Sequence, residues 1–369
     1  METKKHKFII SGGGTGGHIF PAVSIANALK AKEPDAEFLF VGAEGRMEME
    51  KVPQAGYNIK GLPVVGLNRK NPLQWISFAW KFFKSKRTAK QIVKDFAPDA
   101  VVGVGGYASA PTLDAANALG IPTFLQEQNS FAGKANKMLA KNAKKICVAY
   151  EGMERFFPKD KIILTGNPVR QNLMDVPFKD ADALKAFNLD PAKKTLLIIG
   201  GSLGARTVNN SVIGGLQKLK DAGIQIIWQT GKFYYEASKA EADKSNNPLL
   251  DCTAFVKNMD QAYAVADLVV SRAGASSISE LCLLKKPCVL VPSPNVAEDH
   301  QTKNALALST KGAAILVTDA EAEAKLIDTV IELINNDQQL ASLSENIAKL
   351  AQLDSAARIA DIIINEIKK

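Results

Sequence analysis

One pattern constrains the fold more than any other, and it occurs twice: an apolar run that ends in glycines and then enters a helix-forming stretch. It reads Ile9-Ile10-Ser11-Gly12-Gly13-Gly14-Thr15-Gly16-Gly17 near the start and Ile198-Ile199-Gly200-Gly201-Ser202-Leu203-Gly204-Ala205 in the second half. Such a run suits a strand buried on both faces, the glycines permit a tight exit, and the following helix opens with its amides facing the turn. Further short apolar runs surround the first copy: Glu37 to Val41, Ala100 to Val104, Thr123 to Gln126, Lys145 to Val148 and Lys161 to Leu164. They alternate with helix-periodic stretches such as Ala22 to Ala31 and Pro111 to Leu119. After Gly166-Asn167-Pro168 and a polar stretch to Lys194 the rhythm restarts, with Thr195 to Gly200, Gln225 to Gln229, Cys252 to Phe255, Leu268 to Ser271, Cys288 to Val291 and Ala314 to Val317. Strands alternating with helices predict parallel sheets. The fold class is therefore α/β, with two Rossmann-like domains facing across a cleft. The domains are expected at 1–167 and 168–350, with a last helix near Ser355 to Ile367, in the segment 351–369, packing back on the first domain.

Composition narrows the function. At 369 residues the chain can close two cores, and no stretch supplies the ~20 consecutive apolar residues of a membrane span. Met1 to Lys7 is polar and basic, unlike a signal peptide, so a cytosolic protein is expected. The four cysteines, Cys147, Cys252, Cys282 and Cys288, lack metal-ligand spacing. The net charge of +8 is uneven: Met1 to Asn167 holds 24 Lys and Arg against 14 Asp and Glu, and the remainder holds 22 against 24. The first half should face something anionic.

The loop Ser11 to His18 has the makings of an anion cradle at a helix N-terminus. It contains the Gly-x-Gly-x-x-Gly register but no Lys-Ser or Lys-Thr, which excludes a P-loop. Other conspicuous loops fall just past predicted strand ends: Gly103 to Ser109, Gln126 to Asn129, Gly166 to Arg170, Gly200 to Ala205, Ser271 to Ser277 and Glu298 to Ala305. Taken singly, each is ordinary turn chemistry. Their recurrence at strand ends in both halves describes a site assembled across a cleft.

In that combination, Gly13 to His18 with Pro21-Ala22, the Gly105-Gly106-Tyr107 loop, Gln126 to Asn129, Gly166 to Arg170, Gly200 to Ala205, Ser271 to Glu280 and His300-Gln301 with Asn304-Ala305, the chain closely resembles the MurG family of N-acetylglucosaminyltransferases. The resemblance runs in order over essentially the whole length. It implies the GT-B fold and inverting transfer of N-acetylglucosamine from UDP-GlcNAc to the C4 hydroxyl of undecaprenyl-diphospho-MurNAc-pentapeptide, lipid I, giving lipid II. By position it implies donor contacts from Thr15, Gly16, Gly17 and Asn129 and from Arg170. It also implies a phosphate contact at Ser202, a backbone contact to uracil at Val256, the helix start Ala275, Ser276, Ser277, Ile278 and Ser279, a ribose-binding carboxylate at Glu280 and a sugar contact at Gln301. His300 stands where some relatives carry a second glutamine. His18 is a candidate for the base that deprotonates the attacking hydroxyl and equally for a contact to the acceptor diphosphate; Glu127 is a second candidate base.

No cofactor is expected, and no metal either, the latter because Asp180-Ala181-Asp182 precedes a helical stretch and reads as a cap. A diacylglycerol glycosyltransferase of related fold, a UDP-GlcNAc epimerase and a noncatalytic UDP-sugar-binding subunit are the competing readings. Nucleic acid is not expected as a partner, since it explains the charge but not the loops; cell-wall synthesis proteins are compatible ones. The stretch Asn68 to Lys90 sets Leu73, Trp75, Ile76, Trp80, Phe82 and Phe83 among Arg69, Lys70, Lys81, Lys84, Lys86, Arg87 and Lys90, without one acidic residue. Aromatics beside a basic rim suit peripheral binding to the anionic cytoplasmic face of the membrane.

Overall fold

Along the first strand, Ile9 packs into one core while Phe8 and Ile10 pack into another on the opposite face, as the period of two demands. The computed structural model describes residues 5–64, 74–169, 173, 175–201 and 203–369, with the side chains of 74–82 and 297 outside that description. The chain divides into two units, Met1–Val169 with Leu353–Lys369, and Arg170–Gln352.

Unit 1 is built on β1 (Lys7–Ser11), β2 (Glu37–Ala43), β3 (Ile59–Leu62), β4 (Ala100–Gly103), β5 (Thr123–Glu127), β6 (Lys145–Val148) and β7 (Ile162–Leu164). These form one sheet of seven strands in the order β3-β2-β1-β4-β5-β6-β7, each pair parallel. Its helices are α1 (Gly16–Lys32), α2 (Glu48–Gln54), α3 (Gln74–Phe96), α4 (Ser109–Ala118) and α5 (Lys134–Leu139). One face carries α3, α4 and α5 through Ala89, Val93, Leu113, Ala116 and Leu139. The other carries α1 through Ile19, Ala22, Ile25, Ala26 and Leu29, spaced at three and four residues as a single helical stripe.

Unit 2 contains α6 (Ala181–Ala186), β8 (Thr195–Ile199), α7 (Arg206–Asp221), β9 (Gln225–Gln229), α8 (Tyr235–Lys244), β10 (Leu250–Thr253) and α9 (Met259–Val265). It continues with β11 (Leu268–Ser271), α10 (Ala275–Leu283), β12 (Cys288–Leu290), α11 (His300–Ser309), β13 (Ile315–Leu316), α12 (Asp319–Ile334) and α13 (Asp337–Ala348). The six strands run parallel in the order β10-β9-β8-β11-β12-β13. Leu196, Ile198, Trp228 and Val270 face the core shared with α7 and α12. The Asp180 carboxylate caps α6 by accepting from the Ala183 amide at 2.9 Å.

The final helix, α14 (Ser355–Ile367), belongs to unit 1, where Ile359, Ala360, Ile363 and Ile364 complete the α1 core. Lys368 pairs with Glu33 at 3.0 Å, and the Arg358 guanidinium donates to the Leu164 carbonyl at 2.7 Å. In each sheet the order reverses about the first strand, β1 beside β4 and β8 beside β11. Helices leave such neighbours toward opposite faces, opening a crevice beyond the strand ends where α/β proteins bind ligands.

Candidate active site

At the β1/β4 crevice of unit 1, two glycine loops touch. A Cβ on Gly106 would lie 2.4 Å from the Gly13 carbonyl oxygen, and one on Gly12 would lie 2.1 Å from the Val104 side chain. Only glycine permits that approach, and Gly13, Gly14, Gly105 and Gly106 all have positive φ. Beneath the loop, Glu48 is 1% exposed and accepts from the Gly14 amide at 2.8 Å and the Ala43 amide at 3.0 Å. One amide of the expected anion cradle is thus already held by a carboxylate. Thr15 then enters α1 in an extended conformation without a side-chain cap, so the amides of Gly16 and Gly17 open the helix. His18, half-buried, has Nδ1 3.3 Å from Thr15 Oγ1, and its ring lies against Gly105, 2.9 Å from where a Cβ would stand. Ser109 fastens the second loop to the first strand, donating to the carbonyls of Ser11 at 2.7 Å and Gly105 at 3.0 Å.

At the end of β5, Gln126, Glu127 and Gln128 are all buried. Gln126 donates to Asn167 Oδ1 at 2.9 Å, Asn167 donates to the Gln128 carbonyl at 3.0 Å, and Gln128 donates to the Val104 carbonyl at 2.8 Å. This amide network joins the strand to the loop after β7, and buried amides need such partners. The Glu127 carboxylate accepts from the amides of Asn129 at 3.1 Å and Gly133 at 3.0 Å, and from the side chains of Asn129 at 3.3 Å and Asn136 at 2.9 Å. Burial raises its pKa, and those hydrogen bonds pull the other way. Asn129 is thereby set at the rim of the strand end.

In unit 2 the loops after β8 and β9 also meet through glycine. A Cβ on Gly204 would stand 2.2 Å from the Thr230 carbonyl, and one on Gly231 would stand 2.1 Å from the Gly204 nitrogen. Gln229 donates to the Gly201 carbonyl at 3.3 Å and accepts from the Val256 amide at 2.9 Å. The Val256 amide is therefore committed inward, to Gln229.

Gly274 enters α10 in an extended conformation without a side-chain cap. Ala275 and Ile278 face inward, Ser276, Ser277 and Ser279 are half-buried, and Ser279 Oγ donates to the Ala275 carbonyl at 3.0 Å. Glu280 is 8% exposed, and its Oε2 accepts from the Tyr263 hydroxyl at 3.1 Å. Before α11, Glu298 and Asp299 both have φ above +50°, a strained pair for residues with side chains. Gln301 Oε1 accepts from the Ser293 amide at 2.8 Å, and buried Asn304 donates to the Ala273 carbonyl at 3.4 Å. Among the described residues of unit 2, the crevice thus gathers the glycine loop, Glu280 and Gln301 around one end of the sheet.

Arg170, Ser202 and Leu73 lie outside the described residues, as do the side chains of Trp75, Ile76, Trp80 and Phe82. On the rest of α3, Ser85, Ala89, Ile92 and Val93 are buried, whereas Phe83 is 70% exposed beside exposed Lys84, Lys86, Arg87 and Lys90. Lys86 reaches Asp114 on α4 at 3.2 Å. Among the described residues, no helix is long and apolar enough to cross a membrane. Sequence reading missed Glu48, whose bond to the Gly14 amide spans 34 residues and leaves no local pattern, and it named Ser109 only as the end of a loop, without its bond to Ser11.

Two family profiles match the chain: the glycosyltransferase family 28 N-terminal domain over residues 8–148 and its C-terminal domain over residues 195–360. A UDP-N-acetylglucosamine–N-acetylmuramyl-(pentapeptide) pyrophosphoryl-undecaprenol N-acetylglucosamine transferase from Phocaeicola vulgatus is 62% identical over 96% of the chain and 94% of its own length. The enzyme of the same description from Bacteroides thetaiotaomicron is 61% identical over 98% of each. Among solved structures, Acinetobacter baumannii MurG aligns with a TM-score of 0.79 at 28% identity, over 98% of this chain and 100% of that one. With two parallel Rossmann-like sheets and matches spanning nearly its entire length, the chain has the GT-B fold and belongs to the MurG family of glycosyltransferases.

Proposed function

We propose that this enzyme transfers N-acetylglucosamine from UDP-GlcNAc to the C4 hydroxyl of lipid I with inversion, forming lipid II. The observation that carries the reading is the 62% identity, over 96% of the chain, to a transferase whose description names that donor sugar and acceptor. The chemistry of the site agrees with it. Inversion needs a hydroxyl deprotonated as it attacks the anomeric carbon, with charge stabilisation for the departing diphosphate on the opposite side.

Unit 2 supplies the donor side. Glu280 holds the ribose hydroxyls, a task suited to a carboxylate fixed by Tyr263. The N-terminus of α10, from Ala275 to Ser279, and the loop 200–205 with Ser202 draw the diphosphate. Arg170 adds positive charge, the Val256 backbone reads uracil, and Gln301 contacts the sugar. Unit 1 supplies the acceptor side, with Thr15, Gly16, Gly17 and Asn129 reaching the transferred sugar. His18 serves either as the base or as a contact to the acceptor diphosphate. Glu127 fits neither task well, because four donors already occupy its carboxylate, and it is better read as the post that holds Asn129. On α3, exposed Phe83 and the exposed basic residues Lys84, Arg87 and Lys90 suit unit 1 to the anionic cytoplasmic surface where a lipid acceptor resides.

Calorimetry with UDP-GlcNAc tests the donor side. Glu280→Ala loses a hydrogen bond to a charged group, worth ~1.5 to 3 kcal/mol, so donor affinity should fall at least about tenfold with the fold intact. Unchanged affinity would refute the assignment.

A further inference from the structure

Asp319, the first residue of α12, draws three loops of unit 2 together. Its Oδ1 accepts from Arg272 Nη1 at 2.5 Å and its Oδ2 from Thr207 Oγ1 at 3.0 Å. Thr207 lies in the first turn of α7, directly after the glycine loop 200–205. Arg272 stands two residues before Gly274, which opens α10. The same Nη1 donates to the carbonyls of Val291 and Pro292, both at 3.0 Å, next to Ser293, whose amide is bound by Gln301. One ion pair therefore touches the first turn of α7, into which the loop 200–205 runs, the loop before α10 and the exit of β12 toward α11. Its side chains are 14% and 22% exposed. The frame beneath is stiff, since a Cβ on Gly215 of α7 would lie 2.5 Å from the Ile327 side chain of α12. A mostly buried ion pair adds little net stability, because desolvation offsets its attraction; fixing one arrangement is the better-attested use of such a pair.

We propose that Arg272 and Asp319 are positioning residues that hold the three donor loops of unit 2 in register, so that donor affinity depends on a pair remote in sequence from the ligand contacts. This rests on the reading of unit 2 as the donor side. Conformational fixing of this kind acts on the donor and leaves the acceptor site alone.

The test uses the full chain with Asp319→Ala, Arg272→Lys and Thr207→Val, measuring kcat, KM for UDP-GlcNAc, KM for a soluble lipid I analogue, and Tm. Donor KM should rise roughly tenfold or more in Asp319→Ala and Arg272→Lys, and about threefold in Thr207→Val, with acceptor KM unchanged. Adding Thr207→Val to Asp319→Ala should raise it no further, because their shared bond is already gone. A merely structural role predicts a lower Tm and a lower kcat with donor KM unmoved, and that result overturns the proposal. Should Asp319→Ala fail to fold, the isosteric Thr207→Val carries the test. Glu280→Ala is the reference: donor affinity lost there but retained in the other variants overturns the pair alone. Donor affinity unaffected in every variant overturns the donor reading of unit 2 and the pair with it.

Discussion

Gly106→Ala tests the paired glycine loops of unit 1 directly. The added methyl would lie 2.4 Å from the Gly13 carbonyl oxygen and 2.9 Å from its nitrogen, where ordinary contact begins at 3.4 Å. The loop carrying Thr15, Gly16 and His18 must therefore retreat by about 1 Å, and a misplacement of that size costs on the order of a hundredfold in turnover. A second cost is conformational, since φ of +91° in an L residue adds ~1 to 2 kcal/mol. Gly56→Ala isolates that second cost, because Gly56 has φ of +86° and its Cβ would meet nothing within 4 Å. Both variants should lose the conformational share of stability in urea denaturation, and Gly106→Ala should lose more because the clash adds to it. Only Gly106→Ala should lose transfer to a soluble lipid I analogue, with donor affinity changing less than about tenfold, as the proposed reading of unit 2 as the donor side requires. If Gly106→Ala turns over within a factor of about three of Gly56→Ala, the loops are not part of the reaction site.

Three further expectations follow from other parts of the molecule. For His18→Ala, a base role predicts a fall in kcat of roughly two to four orders of magnitude with donor affinity nearly unchanged; a rise in acceptor KM with kcat retained at saturation assigns it to the diphosphate instead. Replacing Lys84 and Arg87 with Glu should reduce cosedimentation with anionic vesicles, as should high salt, while turnover of a soluble acceptor survives; equal binding to neutral vesicles would contradict the electrostatic account. Lys286 is 6% exposed, donates to the Ala266 carbonyl at 2.9 Å, and burial lowers its pKa to about 8. Between that value and its ordinary one, the unfolded chain holds a proton that the folded chain has released, so stability should rise with pH, by at most ~1.4 kcal/mol per unit. The rise should be absent in Lys286→Met, and identical pH profiles in chemical denaturation would contradict it.

The sheets were legible because their strands are buried on both faces and read as unbroken apolar runs between glycines. Where that condition fails, sequence reading fails. β3 is an edge strand whose Ile59-Lys60-Gly61-Leu62 offers too little apolar pattern, and Asp251 interrupts β10, displacing the expected run from Leu250–Thr253 to Cys252–Phe255. α1 begins at Gly16, six residues before the expected stretch, because packing of Ile19 and Ala22 overrides the poor helix propensity of Gly16, Gly17 and Pro21. The glycine loops of the candidate site could be found, since their residue types are set by local backbone geometry. Their supports could not. Glu48 beneath Gly14 and Asp319 beneath Thr207 and Arg272 are single carboxylates whose partners lie far off in sequence, and nothing local distinguishes them from solvated helix residues.

The most direct test of the central claim is incubation of the purified chain with radiolabelled UDP-GlcNAc and a short-chain lipid I analogue, followed by product analysis. The account predicts label in a lipid-linked disaccharide with a β-1,4 bond, and loss of that product in Glu280→Ala at limiting donor. Donor binding without transfer, transfer to diacylglycerol in place of the muramoyl lipid, or release of an epimerised free sugar would contradict it.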